Sequence, residues 1–111
     1  MAVGDRIPTE LAQSALSATA TNYFTNAGSS YRTQILEVCL VNTGSSQRVV
    51  TLYKNGLAAN NQVANSITLP ASTSTIIDLK LVATGVQTFG ANQDSGIDVT
   101  MTVSGIVEQI A

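Results

Sequence analysis

Residues 31–55, YRTQILEVCLVNTGSSQRVVTLYKN, constrain the fold more than any other stretch. Two alternating apolar runs flank a cluster of turn formers, Thr43, Gly44, Ser45 and Ser46. Successive side chains of a strand point to opposite sides. In the first run Leu36, Val38 and Leu40 therefore share one face and Ile35, Glu37, Cys39 and Val41 the other. In the second, Val50 and Leu52 alternate with Val49, Thr51 and Tyr53. The pattern predicts a β-hairpin that turns one apolar row to a core. A slip of one residue would bury Glu37 and Lys54, so the register is strongly specified.

The rest of the chain carries the same signal. Residues 1–10 hold Gly4, Pro8 and several charges without periodicity and read as an N-terminal arm, leaving 11–111 as a single domain. Residues 16–25 read as a strand, with a short helix over 9–15 as an alternative on Ala and Leu content. Asn55-Gly56 is a tight turn signal, and residues 57–65 form a polar excursion. A short strand over 66–69 is ended by Pro70, which cannot donate to a ladder. Residues 75–80 alternate, with Ile77 and Leu79 inward and Asp78 and Lys80 outward. Strands follow over 86–91 and 97–110, the last placing Ile97, Val99, Met101 and Val103 on one face, with Gly105 a candidate bulge. About seven strands punctuated every 8–12 residues or so, with no helical crossover, predict an all-β antiparallel sandwich, either jelly-roll or immunoglobulin-like.

Composition bears on what covers such a sandwich. Ser, Thr, Asn and Gln supply 40 of the 111 residues, whereas charged residues are 11% and aromatics 5%. Soluble monomers usually carry roughly 25–35% charge on their surfaces, so a chain this poor in charge points to a surface covered by neighbouring subunits or another protein. The net charge of -2, with Arg6, Arg32, Arg48, Lys54 and Lys80 scattered, speaks against nucleic acid, which needs clustered cations. No apolar run approaches a membrane span, and MAVGDRIPTE has charges where a signal peptide has its apolar stretch, which implies synthesis in the cytoplasm without processing by that route.

Chemistry is sparse. The sequence has no His, so the commonest general base and the usual triads are missing. Cys39, flanked by Val38 and Leu40, reads as a packing residue. Asp94 and Asp98 are the closest acidic pair; they suit glycoside hydrolysis or a calcium ion in principle, and a turn residue and an outward strand residue more simply. No metal-ligand spacing and no phosphate-cradling glycine loop is present. Tyr23, Phe24, Tyr31, Tyr53 and Phe89 could stack on sugars, but a chain with five aromatics needs most of them as anchors. The residues predict no enzyme and no cofactor.

Taken in order, Asn22-Tyr23-Phe24-Thr25, the turn at Gly28, Ile35-x-x-Val38-x-Leu40-x-Asn42-Thr43-Gly44-Ser45, Arg48-Val49-Val50-Thr51-Leu52-Tyr53, Leu69-Pro70-Ala71 and Val99-x-Met101-x-Val103-Ser104-Gly105 resemble small β-sandwich virion proteins of tailed bacteriophages. Asn42 is the most particular feature, a polar residue closing an apolar strand where its side chain can bond the turn. Asn26 departs from the pattern, standing where such proteins often enter the turn with Val-Pro. The resemblance implies a structural role in a virion: a capsid decoration or cement protein, with a tail or fibre component or a receptor- or carbohydrate-binding module as the alternative. It further implies a symmetric homo-oligomer, commonly a trimer, bound to the major capsid protein or another virion protein, with no nucleic acid and no membrane as partner. The arm is the expected contact segment, through Val3, Asp5, Arg6, Ile7 and Pro8, because an unstructured segment can order across a neighbour.

Overall fold

The computed structural model describes residues 2–111, which leaves Met1 of the expected arm outside the described residues. Among these residues the chain forms β1 (Arg6–Ala15), β2 (Thr21–Thr25), β3 (Tyr31–Asn42), β4 (Arg48–Lys54), a 3-10 turn (Ala59–Asn61), β5 (Gln62–Leu69), β6 (Thr73–Thr84), β7 (Thr88–Gln93) and β8 (Val99–Gln109). Two antiparallel four-stranded sheets result, ordered β1-β8-β3-β6 and β2-β7-β4-β5. The expected all-β sandwich is the fold.

The pairs β4 with β5, β3 with β6, β2 with β7 and β1 with β8 are nested, so the chain is one long antiparallel ribbon. The ribbon is rolled until β3 also meets β8 and β4 meets β7. This is the jelly-roll order, and it decides between the two sandwiches that the alternation left open. Rolling puts consecutive strands in different sheets everywhere except at β4 and β5. The hairpin expected over residues 31–55 is therefore not formed: β3 and β4 lie in opposite sheets, and residues 43–47 make a corner between them. A corner uses the same turn formers as a hairpin. What separates the two is pairing with distant β6 and β8, on which the local pattern is silent.

Other boundaries move for similar reasons. Residues 6–10, expected as part of an arm, are the first half of β1, where Arg6 to Glu10 pair with Glu108 to Ser104. As an edge strand exposed on both faces this segment needs no alternation, which is why the sequence hides it. It supplies the eighth strand. The strand expected over 16–25 is instead the end of a corner plus β2, and residues 9–15 are strand, not helix. β6 continues through Thr84, with Ile77 and Leu79 inward and Asp78 and Lys80 outward as the alternation predicts. Ile97 is 74% exposed, because it sits in the β7–β8 corner before the strand begins.

The core lies between the sheets and is built from Leu16, Ile35, Val38, Leu40, Val50, Leu52, Leu69, Phe89, Val99, Met101 and Val103, all fully buried. On β3 the inward set is Ile35, Val38 and Leu40, not Leu36, Val38 and Leu40. Leu36 is an extra residue, a bulge between Ile35 and Glu37 that reverses the parity of the strand. Leu11 is extra in the same way on β1, at the same level. The bulges lie on either side of Ser104, Leu36 opposite the step from Gly105 to Ser104 and Leu11 opposite the step from Ser104 to Val103, while β8 itself runs without interruption: Val99, Met101, Val103 and Gly105 all face inward. The irregularity foreseen at Gly105 thus belongs to its neighbours. A β-carbon on Gly105 would collide with the Gln34 carbonyl and touch Leu11, so the bulges need a glycine there.

Rolling the ribbon leaves backbone groups at the corners without ladder partners, and two buried asparagines supply them. At one end Asn42 Nδ2 donates to the carbonyls of Ser46, Leu69 and Pro70 at 2.8, 3.1 and 3.2 Å, while Gly44 N–H donates to Asn42 Oδ1 at 3.0 Å. At the other end Asn26 Nδ2 donates to the carbonyls of Gly28, Tyr31 and Gly85 at 3.1, 2.8 and 2.9 Å, and Thr33 Oγ1 donates to Asn26 Oδ1 at 2.7 Å. Each therefore ties one sheet's corner to the other's. The departure at Asn26 is a working part of the fold.

Asn42→Leu fills the space but strands four polar groups, the Leu69 carbonyl fully buried and the other three at the edge of the core, and is expected to lower unfolding free energy in urea by about 2–4 kcal/mol. Gly105→Ala is expected to cost about 1–3 kcal/mol by the same measurement, since the Gln34 carbonyl is backbone and cannot swing away.

Candidate assembly surface

The structure assigns Asp94 and Asp98 to corner building. Asp94 Oδ1 accepts from the Val49 and Ser95 amides at 3.2 and 3.0 Å, tying the β7–β8 corner to the start of β4. Asp98 forms an ion pair with Arg48 at 3.0 Å, and its carboxylate packs against Gly44. No group of three or more His, Cys, Asp or Glu side chains that could hold a metal occurs among the described residues. Phe89 is in the core, Tyr53 is buried with its hydroxyl donating to Asn92 Oδ1 at 3.0 Å, and Tyr23 and Phe24 pack against the core. None of these four forms an open platform for a sugar. The polar segments 57–65 and 91–95 cannot form one binding end, because Lys54 pairs with Phe89 and Val50 with Gln93, which sets them at opposite ends of the sandwich.

The expected contact residues fall in two places. Val3 and Asp5 lie in a turn stitched to β8: Ala2 N–H donates to Asp5 Oδ2, Gly4 N–H to the Gln109 carbonyl, and Gln109 N–H to the Asp5 carbonyl, at 2.7, 2.8 and 3.1 Å. Val3 remains 66% exposed. Arg6, Ile7 and Pro8 are on β1, with Arg6 and Pro8 on the outer face of the sheet and Ile7, 46% exposed, on the inner. The structure thus holds all five in place at the sheet edge and its adjoining turn.

The outer face of the β1-β8-β3-β6 sheet becomes readable only through the register. Its first row across the strands is Arg6, Glu108, Arg32 and Thr84. Glu108 sits between the two arginines, 3.8 Å from Arg6 Nε and hydrogen-bonded to Arg32 Nε at 2.9 Å and to Arg32 Nη2. The second row is Pro8, Ile106, Gln34 and Val82, largely apolar. The third is Glu10, Ser104, Glu37 and Asp78, with three exposed carboxylates. Glu37 shares a face with Arg32, five residues away, only because the Leu36 bulge reverses the strand's parity. Between the second and third rows a shallow groove of about 270 Å³ is lined by Gln34, Leu36, Lys80, Leu81 and Val82. Farther along, Cys39 is half-buried and Ile76 is 64% exposed.

At the opposite end from Asp98, Lys54 Nζ donates to Gln87 Oε1 at 2.9 Å. Partial burial lowers its pKa below the ordinary 10.5. A lowered pKa on a cation means that the unfolded chain holds the proton more tightly, so the cost to the fold is full at neutral pH. It is relieved as pH rises between the lowered value and the ordinary one.

No family model matches this chain, and no curated protein matches its sequence. Solved structures do share the fold. A chain of the T13 IBDV viral particle aligns with a TM-score of 0.56 at 11% identity, covering 93% of this chain but 30% of that one. A chain of the acidic stable capsid of Helicobacter pylori bacteriophage KHP30 aligns at 0.53 and 13% identity, over 99% of this chain and 90% of that one. A chain of Bacillus endospore appendages, a family of disulfide-linked pili, aligns at 0.51 and 15%, over 98% and 88%. At such identities the likeness is one of architecture.

Lys54→Met removes the desolvated charge while Gln87 Oε1 keeps its bond from the Thr84 amide at 3.1 Å. The variant is expected to melt no lower than the parent at pH 7 and to lose the parent's gain in stability toward pH 10, followed by thermal melts across that range.

Proposed function

We propose that this chain is a structural protein of a phage virion, a capsid decoration or cement protein that binds the head lattice as a symmetric homo-oligomer. The observation that carries the reading is the charge-poor jelly roll itself, an architecture shared with chains of viral capsids. Its polar side chains are spent on corners and ladders. The outer face of the β1-β8-β3-β6 sheet and the stitched N-terminal turn stay exposed, surfaces suited to covering by another protein. The sequence resemblance to small virion proteins points the same way.

As a cement the protein would act by differential affinity: binding the mature lattice more tightly than the disrupted one shifts the equilibrium toward the intact head. Val3, Asp5, Arg6, Ile7 and Pro8 lie at one edge of the sandwich, and we assign the lattice contact to the turn end of that edge, at Val3 and Asp5. Location in the virion and the major capsid protein as partner belong to this same reading.

The test is cosedimentation of the purified chain with emptied heads and with isolated tails of the parent phage. Saturable pelleting with heads is the expected result, reduced several-fold by Val3→Asp. Pelleting with tails alone, or binding to host cells or glycans instead, overturns the cement assignment in favour of a tail, fibre or receptor-binding role.

A further inference from the structure

We infer that the outer face of the β1-β8-β3-β6 sheet is a self-complementary interface on which a second copy of this chain docks about a two-fold axis. This deepens the self-association in the reading above, on which it rests, and draws on nothing about the capsid partner.

The argument is the charge order of the three rows. The two strands that carry an arginine in the first row, β1 and β3, carry a glutamate in the third: Arg6 with Glu10, and Arg32 with Glu37. The row between them is the apolar one, Pro8, Ile106, Gln34 and Val82. A two-fold axis lying along that middle row places each strand over its own copy and exchanges the outer rows. Arg6 then faces the second copy's Glu10 and Arg32 its Glu37, twice each, while Val82 and Ile106 meet their own counterparts. An axis parallel to the strands would instead set carboxylates against carboxylates.

The side chains are placed for this. Glu10 and Glu37 are exposed and make no ion pair among the described residues, while the Arg6 and Arg32 side chains remain 54% and 44% exposed. Val82 is 48% exposed at the rim of the 270 Å³ groove, which the same axis covers with the partner's Val82 edge. The bulge at Leu36 has a purpose in this arrangement, since it brings Glu37 to the face of Arg32. Isologous pairing of this kind makes the basic unit a dimer, in place of the trimer that the family resemblance implies.

The test uses three chains in sedimentation equilibrium: the parent, an acidic variant (Arg6→Glu with Arg32→Glu) and a basic variant (Glu10→Arg with Glu37→Arg). The parent is expected at twice the 11.5 kDa chain mass. Each variant alone is expected to be monomeric, with affinity reduced at least tenfold, and their equimolar mixture to recover the dimer. A monomeric or trimeric parent, variants that still self-associate, or a mixture that stays monomeric overturns the inference. Should the acidic variant unfold through loss of the Arg32 to Glu108 bond, cross-linking decides. With Cys39→Ser as background, Val82→Cys is expected to be captured as a dimer by a short bis-maleimide and Ile76→Cys is not; equal capture at both sites rejects the axis. Head binding is scored separately, so a failed dimer with intact head binding removes the interface and leaves the cement reading standing, and the reverse also holds.

Discussion

The structure depends on how a rolled ribbon satisfies its own backbone where it changes sheets. Between paired strands the amides and carbonyls meet partners in the ladder, but at a corner the chain leaves one ladder before entering the next. An orphaned buried carbonyl costs as much as several methylenes of burial can return. Asn26 and Asn42 answer this at opposite ends, each with one amide spread over three carbonyls and one oxygen taking a donor. Connections of only a few residues then suffice, and the sandwich closes around an apolar centre with these two asparagines bonded at its ends.

Much of this was legible in the residues and part was not, for one physical reason. Alternation reports which side chains share a side of a strand, and it placed Val50, Leu52, Ile77, Val99, Met101 and Val103 correctly. It carries no information on which strand lies alongside. The corner at residues 43–47 therefore reads as a hairpin, and β1, exposed on both faces up to Glu10, reads as an arm. Parity fails at bulges for the same reason: Leu36 is an ordinary apolar residue whose extra place in the ladder is set by Ser104 and Gly105 opposite. Gly105 did signal trouble at that level. Asn42 was readable through its bonds to Gly44 and Ser46 in the adjoining turn, whereas its bonds to Leu69 and Pro70, and that of Asn26 to Gly85, depend on which strands meet and were not.

The candidate surface shows the same division. Arg6 and Pro8 could be named from the sequence, yet their meaning arises from Glu108, Arg32, Ile106 and Val82 beside them, residues up to a hundred positions away along the chain. Asp94 and Asp98, close in sequence and tempting as an acidic pair, are spent on the Val49 amide and on Arg48. A chain with so few charges commits most of them to specific geometry, so the uncommitted ones, Glu10, Glu37, Asp78 and Lys80, stand out together on the outer face of one sheet.

The nested pairing also governs how the molecule comes into being. Its outermost ladder joins Arg6 to Glu108, so during synthesis β1 waits for all six strands between before its mate emerges. Closing so large a loop late makes for slow folding, with the β4–β5 unit as the natural place to begin. Through that delay the nascent edge is open to mispairing with other chains. Arg6, Pro8 and Glu10 at alternate positions are the kind of residues that keep such an edge from aggregating until the roll is complete.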